Sequence, residues 1–268
     1  MRILLTGAAG SIGTVLTDGL ADAGHDVVGL DLVVPEIHSS RTGGWYTVDC
    51  TDPDAVEAVF ADLDRSGGLD GVVHLAGIPD EASLRDELES HVVTTGVLLD
   101  AMVAHGVSRM VYASSNHAVG RTPRTALLST EVRPRPDTFY GVAKVAAEAL
   151  LSLYVDRHGI DAVSCRIGSF LPQPGTVRAL STWLSHEDAV RMVDAALSAP
   201  DPGYAVLYGI SANTRGWWDL APGRALGYEP QDDAERFAAE VAARPEDEEE
   251  AAHVGGPFVT ERFYRPAL

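Results

Sequence analysis

Short apolar runs alternate along the chain with stretches in which apolar residues return every three or four positions. Arg2-Ile-Leu-Leu-Thr6 reads as a buried strand, and Ile12, Leu16 and Leu20 then recur at helical spacing up to Gly24. His25–Leu30 reads as a second strand and Trp45–Cys50 as a third. A helix follows, with Asp52 as its N-cap and Pro53 at its first position. Gly71–Gly77 reads as a fourth strand. From Leu84 to His105 the pattern is helical, with Leu84, Leu88, Val92, Val97, Leu98 and Met102 as its apolar stripe. Arg109–Ala113 is a fifth strand, a proline-bearing loop from Arg121 to Asp137 follows, and a helix opens at Tyr140. Asp161–Arg166 is a sixth strand, leading to a turn-rich bend at Ile167–Pro172. A helix from Ser185 or His186 to about Ala199 and a short strand Tyr204–Ile210 come next. Strands separated by helical crossovers imply an α/β fold, a doubly wound parallel sheet covered on both faces, with ligands at the carboxyl ends of the strands. The last third breaks the alternation. Residues 1–268 therefore read as a single domain in which about 167–268 contributes a small C-terminal substrate cap.

The chemistry-bearing residues fall at those strand ends. Gly7-Ala-Ala-Gly10-Ser11-Ile12-Gly13 joins the first strand to the first helix. Its glycines suit a tight turn at Gly7, approach of backbone N–H groups to a pyrophosphate near Gly10, and close packing of helix on strand at Gly13. Asp31 ends the second strand, where a carboxylate accepts from an adenosine ribose diol and repels a 2′-phosphate, which selects NAD over NADP. The candidate cofactor-binding set is Gly7, Gly10, Ser11, Ile12, Gly13, Asp31, Leu32, Asp49, Cys50, Leu75, Ala76, Gly77 and Ser114, joined by Tyr140 and Lys144. Asp49 ends the third strand within reach of an adenine, and the small residues ending the fourth let a diphosphate lie against the backbone.

Lys144 is the only lysine of the chain, beside nineteen arginines, and stands four residues after Tyr140 on one helix face. Arginine never gives up its charge; lysine is a compact point charge that fits between a phenol and a ribose. A cation there is expected to draw the phenol down from its usual value near 10, making Tyr140 a candidate general base. Ser115, after the fifth strand, has a hydroxyl able to hold the reacting carbinol oxygen. The candidate catalytic residues are thus Ser115, Tyr140 and Lys144.

Composition narrows the partners. The chain has 268 residues, 46% of them hydrophobic, enough for a large core. A formal net charge of −19 disfavours nucleic acid and anionic membrane, and an anionic small molecule would need a local cation. No apolar run approaches the roughly 20 residues of a membrane span, and the first residues are strand-like, so the expected location is cytoplasmic. Cys50 and Cys165 lack metal-ligand spacing and read as buried thiols; no metal is expected. Glu246-Asp-Glu-Glu-Glu250 reads as a solvated acidic loop.

Together, Gly7-x-x-Gly10-x-x-Gly13, Asp31, Ser115, Tyr140 and Lys144 resemble the extended short-chain dehydrogenase/reductases, whose sheet is the Rossmann fold. Ala113-Ser-Ser-Asn-His117, Tyr140-Gly-Val-Ala-Lys144, Arg166-Ile-Gly-Ser169, Leu180-Ser-Thr-Trp-Leu-Ser-His186 and Gly209-Ile-Ser-Ala-Asn213 resemble the uronate dehydrogenase family within it. That resemblance implies oxidation of the C1 hydroxyl of D-glucuronate or D-galacturonate by NAD to an aldarolactone. It implies Tyr140 as base, Lys144 as its partner, and Ser115, Asn116, His117, Tyr140, Ser169 and Arg178 as substrate-binding residues, with Arg178 on the carboxylate. It also implies a homo-oligomer, because related folds pair through the helices after the fourth and fifth strands. The chain departs from the family pattern at Pro79, where a substrate-facing serine is usual. The alternatives are a sugar-nucleotide epimerase or dehydratase of the same superfamily and a catalytically silent NAD sensor.

Overall fold

In a computed structural model, which describes residues 1–34 and 42–267, the predicted alternation becomes one sheet with helices on both faces. The strands are β1 (Arg2–Thr6), β2 (Asp26–Asp31), β3 (Thr42–Thr47), β4 (Gly71–His74), β5 (Arg109–Ser115), β6 (Asp161–Ile167), a short pair β7 (Ser169–Phe170) and β8 (Trp183–Leu184), and β9 (Tyr204–Gly209). The main sheet runs β3-β2-β1-β4-β5-β6-β9, parallel throughout. Strand order reverses between β1 and β4, so a crevice opens over the carboxyl ends of those two strands.

Helices α1 (Ser11–Asp22), α2 (Pro53–Arg65), α3 (Leu84–Leu88), α4 (Thr94–Ala104), α5 (Phe139–His158), α6 (Ala179–Thr182) and α7 (His186–Ser198) follow in chain order. Leu16 and Leu20 of α1 pack with Met192, Val193 and Ala196 of α7 on one face of the sheet. On the other face, Val56, Phe60 and Leu63 of α2 meet Leu98 and Met102 of α4 and Leu151 of α5. This two-sided burial is why β1 and β4 are almost unbroken apolar runs. Trp217, Trp218, Tyr208 and Val254 form a smaller cluster where the C-terminal segment returns to the sheet.

Four elements differ from the sequence reading: the acidic stretch Glu246–Glu250, expected to be a solvated loop, holds a short helix over Asp247–Glu250 whose last carboxylate is buried against Arg244. The third strand stops at Thr47, because the Asp49 carboxylate accepts from Thr51 N–H at 2.9 Å and from its hydroxyl at 2.8 Å, turning the chain away. The bend at Ile167–Pro172 contains β7, paired to β8. The helix from Leu84 is broken by a turn of π-helix at Glu89–Val93. Before that turn Leu84 and Leu88 are only partly buried, whereas Glu87, His91, Thr94 and Thr95 are buried. The inner face is polar there, and the π turn carries that face against the end of β4.

Candidate active site

A cleft of about 900 Å³ lies over the carboxyl ends of the central strands. Every residue of the candidate cofactor set lines it: Gly7, Gly10, Ser11, Ile12, Gly13, Asp31, Leu32, Asp49, Cys50, Leu75, Ala76, Gly77, Ser114, Tyr140 and Lys144. Ser115 lines it as well. At one end, Gly7 has φ +70°, and a Cβ there would strike the backbone of Ala76 and Leu75. A Cβ on Gly13 would strike Gly7 O and Ala8, so α1 can sit directly on the end of β1. Asp31 accepts from Ala9 N–H at 2.9 Å and from Leu32 N–H at 2.7 Å, which fixes its carboxylate across the turn. Cys50 is buried, and burial pushes its thiol up to about 12.

Helix α5 forms the other end. Thr138 caps its first turn by accepting from Gly141 N–H at 3.0 Å. Glu81, from the loop after β4, lays its carboxylate on the same helix end, accepting from Phe139 N–H at 2.9 Å and Tyr140 N–H at 3.1 Å. Tyr140 is thereby held between two imidazoles, His91 with ring centroids 5.2 Å apart and His117 at 6.0 Å. One turn on, buried Lys144 donates from Nζ to Ala113 O at 2.7 Å and lies 5.2 Å from the Tyr140 ring centroid.

The expected lowering of the tyrosine does not occur. Burial pushes Tyr140 up to about 12, against the hydrogen bond of the Ser115 hydroxyl, which lowers it. Burial also pushes Lys144 down to about 7, although the charges of Glu87 and Glu148 support its proton. Desolvation outweighs the pairing that spacing suggested, because the ammonium lies over the ring and both groups are shut away from water. Between about 7 and about 12 the two side chains together hold one proton, and when it sits on Lys144 the phenol is a phenolate.

The remaining candidates lie to one side of the cleft. Asn116 is buried, its Oδ1 accepting from the Ser115 hydroxyl at 3.4 Å. His117 Nδ1 is held by Asp137 at 2.9 Å, and its ring packs on Phe258 at 4.6 Å. Ser169 shares a hydrogen bond with Thr182 at 2.8 Å, between Gly168 and Phe170, which line the cleft. Arg178 is not in the main cleft. It lines a smaller cavity with Trp217, Glu250 and His253, donates to Val254 O at 2.6 Å, and keeps Nε buried without a partner. Burial lowers its guanidinium to about 10, despite the charges of Asp137 and Glu250. Ser114 donates to Glu148 at 2.5 Å, inside the buried pair that Glu148 makes with Arg166.

Sequence reasoning missed Ser90, His91 and Thr94, cleft residues brought in by the π turn. A signal was present: Glu87, His91, Thr94 and Thr95 make a polar stripe at helical spacing inside an otherwise amphipathic helix. Gly77, which lines the cleft as expected of it, also makes room for the His91 ring, which a Cβ there would strike. Phe258 gave no signal, because only the return of the C-terminal segment brings it to His117.

Comparison with known proteins bears on this arrangement. Residues 3–172 match the NAD dependent epimerase/dehydratase family. Uronate dehydrogenase of Agrobacterium fabrum is 37% identical over 268 residues, 98% of each chain. A mutant uronate dehydrogenase of Agrobacterium tumefaciens, solved with NAD, superposes with a TM-score of 0.88 at 36% identity, over 100% of this chain and 98% of the other. Glucuronic acid dehydrogenase of Chromohalobacter salexigens gives 0.87 at 36% identity over 96% of each.

Proposed function

The chain belongs to the NAD dependent epimerase/dehydratase family, and within it to the uronate dehydrogenases; from that premise we propose that it oxidises the C1 hydroxyl of a hexuronate, D-glucuronate or D-galacturonate, to the aldarolactone. The observation that carries the reading is the grouping of Ser115, Tyr140 and Lys144 on one wall of a cleft whose far end is the glycine turn and Asp31. Gly7, Gly10, Gly13 and Asp31 would hold the adenosine and diphosphate half of NAD, and Lys144 its second ribose. NAD, when bound, takes up the hydride from C1 and with it both electrons.

Ser115 holds the carbinol oxygen, and Tyr140 Oη receives its proton, so that C1 is left as the lactone carbonyl. General base action of this kind contributes roughly 100- to 10,000-fold. Lys144 supplies the positive charge that makes the phenolate accessible. Asn116, His117 and Ser169 meet sugar hydroxyls. The carboxylate falls to Arg178, which lines the smaller cavity rather than the cleft and supplies the buried cation that an anionic group needs. The stretch from about 167 onward contributes the substrate side of a single domain. Pro79, which lines the cleft, removes a hydroxyl from that side.

Among the described residues no helix is long and apolar enough to cross a membrane. A cytoplasmic location goes with the reading, as does a homo-oligomer. Val93 just before α4, Val103 on α4, and Val142 and Leu153 on α5 leave apolar surface exposed for such pairing.

The test is absorbance at 340 nm with purified protein, NAD and either D-glucuronate or D-glucose, at low and high salt. NADH is expected with glucuronate and not with glucose. Silence with every uronate at both salts would overturn the reading in favour of a nucleotide-sugar enzyme.

A further inference from the structure

One buried charge beside the cleft has no part in the reaction as described. Glu87 is 0% exposed. Its Oε1 accepts from Ala82 N–H at 2.7 Å, while its Oε2 has no hydrogen-bond partner and lies 3.3 Å from His91 Nε2. His91 in turn donates from Nε2 to Ile78 O at 3.0 Å, which places the proton on that nitrogen and leaves Nδ1 bare. The imidazole is wedged between Gly77 and the Tyr140 ring, with Glu87 behind it.

The charges around Lys144 can be sorted by how well each is already satisfied. Glu148, on α5, takes both prongs of Arg166 at 2.9 and 2.8 Å and the Ser114 hydroxyl at 2.5 Å. A carboxylate so engaged has little left for a second cation. From the end of β4 comes His74, fully buried and held to the Thr6 hydroxyl at 2.8 Å; burial pushes it down to about 3. Burial and the Lys144 charge likewise push His91 down to about 3, so both imidazoles are neutral. From β5 come the Tyr112 ring and the Ser115 hydroxyl, neither of them charged. Among the described residues, Glu87 alone is a buried carboxylate without a cationic partner whose charge acts on both Lys144 and Tyr140. Burial raises the affinity of Glu87 itself for a proton, opposed by the Ala82 N–H and the Lys144 charge, while Asp86 and Asp80, in and before α3, add to the rise.

We propose that Glu87, packed behind His91, is the counter-charge of Lys144, and that this positioning residue sets the pH at which the Tyr140–Lys144 couple loses its protons. The proposal rests on the dehydrogenase reading for its consequence in catalysis, and on the fold alone for its electrostatics.

The sign follows from charge. A negative charge near Lys144 favours its protonated form and near Tyr140 disfavours the phenolate, so it raises both proton affinities. Glu87→Gln keeps the shape and removes the charge. Both proton losses then move to lower pH, by about one unit for a charge at this range in a protein interior.

Lys144 being the only lysine, protein labelled with 13C at lysine Cε shows a single resonance, and its titration reads the ammonium directly. Wild-type Lys144 is expected to titrate near 7, and Glu87→Gln about one unit lower. An unchanged midpoint in Glu87→Gln would overturn the proposal. Should Glu87→Gln fail to fold, the wild-type resonance decides. An ammonium coupled to one carboxylate shows a second, smaller inflection as that carboxylate titrates, and a single inflection would overturn the coupling. In turnover, the whole pH profile of kcat/KM for the uronate is expected to slide to lower pH in Glu87→Gln. A uniform drop with no slide is what a merely structural glutamate would give. The lysine titration needs no substrate, so an inactive protein with the expected shift would count against the dehydrogenase reading only.

Discussion

Tyr140 has two imidazoles for neighbours and a cation one helical turn away, and its usefulness as a base depends on a proton it shares. Tyr140→Phe is expected to cut kcat by roughly 100- to 10,000-fold while NAD binding, followed by fluorescence quenching, is kept. Because the pair first loses a proton near 7, kcat/KM for the uronate is expected to climb as pH rises through about 7 and then level off. A flat profile from pH 5 to 9 would remove Lys144 and Tyr140 from the rate-determining ionisation. Cys50 and Cys165 are both pushed up to about 12 by burial, so alkylation by iodoacetamide at pH 8 should be slow until the protein is unfolded. Tyr140 and Lys144 were legible in the sequence because one helix carries both. Their ionisation was not, since desolvation belongs to the assembled site. His91 and Glu87 were hidden for a related reason. A polar stripe reads as a solvent face until the packing shows it turned inward.

Elements whose ends are written in local chemistry were the ones read best. Helix α2 begins where Asp52 accepts from Asp54 and Ala55 N–H and Pro53 takes the first position, as the sequence indicates. Asp52→Ala is expected to cost about 1 kcal/mol, measured by denaturant unfolding. The π turn has no such local signature, because it exists to bring Glu87 and His91 against the ends of β4 and α5. Where α2 meets the end of α4, His105 bridges Asp64 at 2.5 Å and Glu57 at 2.9 Å, and the Asp64 hydrogen bond leads in raising its affinity for a proton. With the folded value above the unfolded one, its contribution is fully present below about pH 6.5 and fades as pH rises through the folded value. The gap in melting temperature between wild type and His105→Asn should therefore be larger at pH 5.5 than at pH 9. A constant gap would mean that packing, not charge, accounts for it.

For the molecule as a whole, a formal charge of −19 confronts two anionic reactants. Screening shortens the reach of that field to about 10 Å at 0.1 M salt, so kcat/KM for the uronate is expected to rise several-fold between low and moderate salt. The parallel sheet and its two helical layers were legible because periodicity reports burial, and burial here is two-sided. Phe258 and the small cavity at Arg178 were not, since they depend on where a long, weakly patterned C-terminal segment comes to rest.

The turn of π-helix at Glu89–Val93 is, in chain terms, one residue more than a regular helix needs. Deleting a residue there would leave α4 where its Leu98 and Met102 hold it, and would rotate everything before it by about 100°. Glu87 would swing away from Lys144 without either side chain being changed. The chemistry of this wall is thus stored in a count of residues as much as in their identities, and a length change of one is enough to erase it.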